Sequence, residues 1–323
     1  MKRTASLPWL LLGVVFSLVQ AGAVENDTNS SDPYNTNAPT SSDIANWDTG
    51  WAQPQGQSGI TGWNYVGIVA GGGGAASGVY LGNGWVLTAA HVGAGIFTLG
   101  SGQYTVVPGS IDQGIPWQSG SNNYTADLTL FQIQPDGVTT FSLPNLPSLT
   151  IATSAPTVFG GSHRPGSSVA MIGYGDGGSI TNETWGLNTV TQANVLVNPT
   201  GYSYVSNDFE TAYGTTTAGM GRFQSSVTND YQLVLGDSGG GDFIYDSSSG
   251  IWELAGINEA LDSNNDSFMI QLSTYSSQFN TIVATPEPSS GLCLACGLLA
   301  ILGNSRLNNC PIGRRLTRFL AKS

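Results

Sequence analysis

The sequence predicts an all-β protein, and its composition gives the first reason. Of the 323 residues, 44 are Gly and 15 are Pro, and only 9% are charged. Helical bundles and coiled coils need many Ala, Glu, Lys and Leu residues, so this composition disfavours both. Aromatic residues make up 10% and hydrophobic residues 40%, which is enough to build a core. Short strands joined by tight Gly-rich turns are the structure that fits.

Segments with a strand pattern give the second reason. They are short, rich in Val, Ile, Tyr and Trp, and separated by Gly-rich turns: 65–70, 77–81, 85–88, 104–107, 128–133, 169–173, 190–197, 251–257 and 268–271. This spacing predicts an antiparallel sandwich or a pair of barrels. One helical pattern follows late in the chain, where these residues fall on one face: Leu272, Tyr275, Phe279, Ile282 and Val283.

Charge is distributed very unevenly along the chain. The net charge is −12, with 9 basic and 21 acidic residues. Between residues 24 and 285 the only basic residues are Arg164 and Arg222, whereas all but one of the acidic residues lie there. No basic stripe is available to contact phosphates, so the sequence excludes a nucleic-acid partner.

The first 23 residues have the pattern of a secretory signal peptide. Lys2-Arg3 precedes an apolar run over 7–19, and Ala21-Gly22-Ala23 provides small residues for cleavage. An N-terminal membrane anchor is the alternative, but the run is short for a spanning helix. Residues 24–58 are dominated by Asn, Thr, Ser, Asp and Pro, and we expect them to form a flexible, low-complexity leader outside the core.

Residues 285–323 form a tail with a different pattern. Pro286-Glu287-Pro288 is followed by an apolar run over 291–303 and by a basic end that includes Arg314-Arg315. This order resembles the PEP-CTERM sorting signal of Gram-negative bacteria that carry an exosortase. The resemblance implies membrane contact through the tail, processing by an exosortase-like enzyme, and delivery to the cell surface, outer envelope or matrix. An ordinary C-terminal transmembrane anchor is the alternative. All three cysteines lie in this tail.

Three short motifs carry the candidate chemistry. Leu87-Thr88-Ala89-Ala90-His91 follows a strand, Ala126-Asp127-Leu128-Thr129-Leu130 opens one with an acid, and Gly236-Asp237-Ser238-Gly239-Gly240 is a glycine-rich loop. Each has an ordinary structural explanation when taken alone: an interior histidine, a turn-capping aspartate and a flexible loop. Together they place His, Asp and Ser in the chain order found in chymotrypsin-like proteases.

With these three motifs, residues 59–284 resemble the trypsin-like serine proteases of the chymotrypsin fold. Gly173-Tyr174-Gly175 is similar to the family's Gly-aromatic-Gly turn, and the late helical pattern stands where the family has its C-terminal helix. The resemblance implies two antiparallel six-stranded β-barrels followed by that helix, with the active site in the cleft between the barrels.

The resemblance also implies a role for each motif residue. His91 would act as the base that takes the proton of Ser238, and Asp127 would orient the imidazole and stabilise its cation. The backbone N–H groups of Gly236 and Ser238 would form the oxyanion hole.

Asp237 and Gln232 are expected to shape the loop and the substrate pocket. In the family the carboxylate at the position of Asp237 pairs with a freed α-amino group. The sequence has no Lys or Arg followed by the family's Ile-Val-Gly-Gly start, and Ile60-Thr61-Gly62 is only a weak substitute for it. Arg222 or Arg164 is therefore a conceivable partner, and a loop-capping role is the alternative. Gln232 stands at the primary specificity position and favours a polar or small apolar side chain over Lys or Arg. Glu259 could line the pocket, but we expect it to face solvent.

The sequence therefore predicts an exported serine endopeptidase that cleaves proteins or peptides through an acyl-enzyme. No metal or organic cofactor is implied. The alternative is a catalytically silent surface or matrix binding protein on the same fold. An acidic structural protein with no enzyme fold would not explain the three motifs in this order.

Overall fold

The computed structural model describes residues 35–54, 56–137, 142–160, 166–175, 182–212 and 232–283, with the side chains given as far as 279. The signal peptide at 1–23 and the tail at 285–323, both predicted from sequence, lie outside these residues. Both barrels belong to one compact unit that ends at Ser277. In the described part of the chain, no helix has the length and apolar character needed to cross a membrane.

The first barrel is built from seven strands. They are β1 (Val66–Gly71), β2 (Gly74–Gly82), β3 (Trp85–Ala89), β4 (Gly95–Leu99), β5 (Gly102–Val106), β6 (Asp112–Ser119) and β7 (Asn122–Pro135). Six of them form an antiparallel ring in the order β3-β2-β1-β4-β5-β7, which closes because β3 also pairs with β7. The strand β6 forms a hairpin with β7 outside this ring.

The second barrel is a closed ring of six antiparallel strands. They are β8 (Ser168–Gly173), β9 (Thr184–Val197), β10 (Ser206–Ala212), β11 (Gly241–Asp246), β12 (Ile251–Leu261) and β13 (Asp266–Gln271). The order around the ring is β10-β13-β12-β11-β8-β9. Its apolar core includes Val169, Met171, Phe209 and Met269. The predicted pair of six-stranded antiparallel barrels is confirmed.

In the described residues, helical structure is limited to short segments. Two 3₁₀ turns occupy Gly62–Tyr65 and Leu272–Thr274, and one α-helix, α1, spans Ser276–Val283. The predicted helical pattern therefore divides into two elements, because the chain first makes a 3₁₀ turn closed by the bond from Tyr275 N to Leu272 O (2.9 Å).

Four strands were absent from the sequence prediction: β4, β6, β10 and β11. The strands β10 and β11 contain Asp208, Glu210 and Asp242, three acidic residues that are buried in the barrel. Acidic residues are depleted in strands and rarely buried, so a sequence pattern assigns such segments to loops. The strand β6 contains Gly114 and Pro116, which also lower strand propensity.

The expectation that residues 24–58 stay outside the core is wrong for residues 35–54. Trp47 is fully buried, and its ring contacts Trp51, Phe243 and Trp252 in edge-to-face geometry at centroid distances of 5.1, 6.3 and 4.9 Å. The backbone of this segment is also bonded to the second barrel, because the N–H of Trp252 on β12 donates to Gly50 O (3.1 Å). Large aromatic side chains gain enough from burial to order a segment whose average composition is polar.

We predict that Trp47→Ala lowers the free energy of unfolding by about 3–5 kcal/mol, because it removes a fully buried indole from between three aromatic rings. Urea unfolding followed by tryptophan fluorescence and circular dichroism measures the change. The control is Ser42→Ala in the same segment, since Ser42 is exposed. Equal stability of both variants would contradict the packing of this segment on the second barrel.

Candidate active site

His91 and Asp127 meet because β3 pairs with β7. The register places Ala89 opposite Leu128, so His91 just beyond β3 lies beside Asp127 on β7. The imidazole Nδ1 of His91 lies 2.5 Å from Asp127 Oδ2, and the backbone N–H of His91 donates to Asp127 Oδ1 (2.7 Å). Both carboxylate oxygens of Asp127 are therefore committed to His91.

This arrangement selects one tautomer of the imidazole. A carboxylate can only accept, so Nδ1 of His91 carries a hydrogen and Nε2 is left as the proton acceptor. Asp127 is fully buried, and no Lys or Arg occurs among the residues that the structure describes. The carboxylate of Asp127 is therefore placed to stabilise His91 when the imidazole carries a positive charge.

The loop that carries Ser238 is fastened to the first barrel. On β2, the backbone N–H of Ser77 donates to Ser238 O (2.9 Å) and its hydroxyl donates to Gly236 O (2.9 Å). Gly239 has a φ of 84°, and a Cβ there would overlap Ser77 O and Thr88 Oγ1. The half-buried Ser238 is thereby held against the end of β3 from which His91 projects.

Two N–H groups of the same loop have no acceptor among the described residues. The N–H groups of Asp237, Gly239 and Gly240 donate to Val234 O, Asn258 O and Asp237 O, at 3.0, 2.9 and 2.8 Å. By contrast, the N–H groups of Gly236 and Ser238 donate to no acceptor within the described ranges. They are the two that the sequence assigns to the oxyanion hole, and Gly236 takes a φ of 104° that a glycine adopts without strain.

Asp237 points inward and is fully buried. Its Oδ1 accepts the N–H of Gly175 (2.8 Å) and its Oδ2 accepts the N–H of Val234 (2.9 Å). A Cβ on Gly173 would overlap Asp237 Oδ1, and a Cβ on Gly175 would also lie too close to it. The close approach of Asp237 therefore explains both glycines of the Gly173-Tyr174-Gly175 turn. Arg164 and Arg222, the conceivable partners of Asp237, lie outside the described residues.

Sequence analysis missed a set of buried polar groups behind Asp127. The backbone N–H of Asp127 donates to Ser206 Oγ (3.0 Å), and that hydroxyl donates to Glu259 Oε1 (2.6 Å). The expectation that Glu259 faces solvent is wrong, because only 5% of it is exposed. A bulge in β12 between Asn258 and Ala260 accounts for this, since a bulge changes the direction of a side chain.

Burial shifts the acid–base properties of these carboxyl groups. It raises the pKa of Asp208 to about 8, and the nearby charge of Asp127 acts in the same direction. Burial also raises the pKa of Glu259 well above its usual range, reinforced by Asp208 and Asp127. The pKa of Asp242 is raised by burial and by the charges of Asp237 and Asp208. The sequence carries no local signal for Asp208, because only Phe209 and Ala212 are apolar in β10.

Gln232 lies six residues before Ser238 and is nearly buried, with 7% of it exposed. Its side-chain oxygen has no hydrogen-bond partner in the described part of the protein. The adjoining Leu233 is anchored to β13 by the bond from its N–H to Ser267 Oγ (3.0 Å). Residues 213–231, which precede Gln232, are outside the described ranges.

Two exposed apolar side chains flank the site and were not singled out by the sequence. The ring of Tyr202 lies 5.1 Å from the His91 imidazole between centroids, and 46% of this tyrosine is exposed. Leu235, directly before Gly236, is 69% exposed. No group of three or more His, Cys, Asp or Glu side chains within the described ranges could hold a metal ion.

Comparison with known proteins identifies the family. The model of the family described as Trypsin matches residues 55–283. The chain belongs to this family. Members of the trypsin family cleave peptide bonds with a serine nucleophile, and the chain is accordingly a serine-type endopeptidase.

Solved structures give more distant likenesses. The inactive form of the Rv3671c protease of M. tuberculosis is 16% identical, with a TM-score of 0.42 over 68% of this chain and 89% of that one. Human heparin binding protein is 17% identical, with a TM-score of 0.43 over 74% and 97%. The HtrA-type protease AlgW with a decapeptide is 22% identical, with a TM-score of 0.39 over 66% and 53%. No curated protein sequence matches the chain.

We predict that this trypsin-family domain loses stability as the pH rises from 5 to 9. Burial raises the pKa of Glu183 to about 9 and that of Asp208 to about 8, so the folded state keeps protons that the unfolded state has released. Each such group lowers the free energy of unfolding by up to about 1.4 kcal/mol per pH unit.

Urea unfolding at pH 5, 7 and 9 measures this slope. Glu183→Gln should reduce the decrease of the free energy of unfolding with pH, since an amide does not titrate. Asp112→Asn, at an exposed position, should leave that decrease unchanged. Stability that increased from pH 5 to 9 would contradict the prediction.

Proposed function

We propose that the protein hydrolyses peptide bonds with Ser238 as nucleophile, His91 as general base and Asp127 as the group that orients His91. The observation that carries this proposal is the pair of contacts from Asp127 to the Nδ1 and N–H of His91, at 2.5 and 2.7 Å. They leave Nε2 of the imidazole as the acceptor. The loop of Ser238 approaches the end of β3, since a Cβ on Gly239 would lie 3.1 Å from Ala89 N, two residues before His91.

The proposed reaction proceeds through an acyl-enzyme. Ser238 Oγ attacks the scissile carbonyl while its proton passes to His91 Nε2, and the carbonyl oxygen becomes an oxyanion. The N–H groups of Gly236 and Ser238 stabilise that oxyanion, each worth about 10²- to 10³-fold in rate. His91 then gives its proton to the leaving amine. A water molecule then attacks the acyl carbon while its proton passes to His91 Nε2. The bond from the acyl carbon to Ser238 Oγ breaks, His91 returns the proton to Ser238 Oγ, and the second product leaves as the carboxylic acid.

We predict that a fluorophosphonate labels the purified full chain once, at Ser238, and does not label Ser238→Ala. Intact mass measures the label and also shows whether either end has been removed. Asp127→Asn should slow labelling by about 10⁴-fold, because the amide can hold His91 in the wrong tautomer. Ser42→Ala is the control for handling and folding. A folded wild-type protein that took no label would favour the silent binding protein.

We further propose that Asp237 keeps the oxyanion loop in its active shape without a newly freed α-amino group. The N–H groups of Gly175 and Val234 already contact its two oxygens, at 2.8 and 2.9 Å. Residues 35–54 pack on the second barrel, and their removal would expose the aromatic rings of Phe243 and Trp252.

We predict that the chain is labelled with residues 24–58 still attached. Asp237→Asn should lower the labelling rate by about 100-fold or more, because an amide N–H₂ would face a backbone N–H and the loop would lose its shape. Intact mass distinguishes the labelled uncut chain from a trimmed one. Labelling that appeared only after the leader was cut would show activation by cleavage.

The substrate pocket and the destination of the protein extend this proposal. Gln232 would favour a polar or small apolar side chain before the cleaved bond, and cleavage of a mixed peptide library reports that preference. Residues 1–23 would direct export, and an exosortase-like enzyme would remove the tail near Pro286-Glu287-Pro288 at the surface of a Gram-negative cell. The mass of the protein recovered from such a host, with this motif intact or altered, tests that step.

A further inference from the structure

Two buried carboxyl groups lie behind Asp127. They are Asp208 on β10 and Glu259 on β12, and neither is appreciably exposed. Within the described residues, Asp208 Oδ1, Asp208 Oδ2 and Glu259 Oε2 have no hydrogen-bond partner. The charge of Asp208 also disfavours ionisation of Glu259, whose pKa burial raises well above its usual range. Two ionised carboxylates would therefore be buried, unpartnered and mutually repelling, so the pair keeps at least one proton.

Ser206 connects this carboxyl pair to Asp127. A serine hydroxyl has a single hydrogen, and Ser206 donates it to Glu259 Oε1 at 2.6 Å. The lone pairs of Ser206 Oγ are then directed elsewhere, and one accepts the backbone N–H of Asp127 at 3.0 Å. The carboxylate of Asp127 continues the chain to His91 Nδ1.

Among the residues that the structure describes, no Lys or Arg could take the place of the proton that the carboxyl pair keeps. The titratable groups near Glu259 are Asp208 on β10, Asp127 on β7 and the hydroxyl of Tyr275, and Asp242 on β11 lies near Asp208. The structure describes no Lys or Arg in any of its ranges. Loss of the proton would place two ionised carboxylates against each other beside Asp127, so they would repel and release Ser206.

We propose that Glu259 is a positioning residue for catalysis: its Oε1 holds the hydroxyl of Ser206, and Ser206 holds the backbone of Asp127 where the carboxylate reaches His91. This inference rests on the proposed function of the triad. It assigns a role to a strand-bulge glutamate that touches neither the substrate nor the reacting atoms.

The test compares fluorophosphonate labelling rates of the full chain at pH 7 across a set of variants. Glu259→Ala and Ser206→Ala should each slow labelling by about 10- to 100-fold, since a small displacement of a catalytic group has an effect of that size. The double variant should be no slower than the slower single variant, because both changes break one chain of contacts. Glu259→Gln should recover most of the loss, since its amide oxygen still accepts from Ser206 and its N–H₂ can donate to Asp208.

The matched control is Glu210→Ala. Glu210 is a buried glutamate on the same strand as Asp208, bonded to Gln192 rather than to Ser206. We expect the labelling rate of Glu210→Ala to lie within about 3-fold of the wild-type rate, even if this variant has a lower free energy of unfolding. The pH profile adds a second readout: the wild-type rate should fall at alkaline pH as the proton of the carboxyl pair is lost, and the rate of Glu259→Gln should stay level to higher pH.

A signal from His91 keeps the test independent of activity. The Nδ1 proton that faces Asp127 should give a far-downfield NMR resonance that the wild type loses at alkaline pH and Glu259→Gln retains.

Equal pH dependence in the wild type and Glu259→Gln would overturn the proposal. So would additive losses in the double variant, or an equal loss in Glu210→Ala. If the wild type took no label, the triad proposal would fail, while the resonance would still decide the role of Glu259. If Glu259→Ala did not fold, Ser206→Ala and Glu259→Gln would give the answer.

Discussion

The site is organised by the burial of several acidic side chains in a domain that has very few basic ones. Asp127, Asp237, Asp208, Asp242 and Glu259 are all buried, and none of the described residues is Lys or Arg. A buried carboxyl group must be hydrogen-bonded, paired with a cation or protonated. Asp127 is bonded to His91, Asp237 receives two backbone N–H groups, and the pKa values of Asp208, Asp242 and Glu259 are raised. The positions of these acids are therefore tightly determined by the few groups that can satisfy them.

The second feature that organises the site is the attachment of the nucleophile loop to both barrels. Ser77 on the first barrel bonds to the carbonyl groups of Gly236 and Ser238 and also accepts the N–H of Tyr174 (2.9 Å) on its hydroxyl. Asn258 on the second barrel exchanges backbone bonds with Gly239 and Gly240 at 2.9 and 3.0 Å. His91 and Asp127 come from the first barrel alone. The geometry between Ser238 and His91 thus depends on how the two barrels are joined, and these bonds join them.

Sequence patterns predicted most of the first barrel and much of the second because their strands are apolar and bounded by glycine. They failed at β10 and β11, where Asp208, Glu210 and Asp242 are buried among the strands. They also failed at residues 35–54, whose polar average composition conceals Trp47 and Trp51. In each case a local average was outweighed by contacts with distant parts of the chain: Ser206 of β10 with Glu259, and Trp47 with Trp252. Such contacts have no local signature.

The all-β class and the family follow from the sequence, which also supplies the motif residues His91, Asp127 and Ser238 used in the proposed function. Such motifs are short and contiguous, because the proposed chemistry needs particular residue types in a glycine-rich setting. The three-dimensional structure was needed to show that Glu259 is buried, that Ser206 contacts Asp127, and that Asp237 accepts the N–H groups of Gly175 and Val234. The physical reason is that hydrogen bonding and burial depend on three-dimensional neighbours, and Ser206 and Glu259 are brought together from separate strands by barrel closure and a bulge.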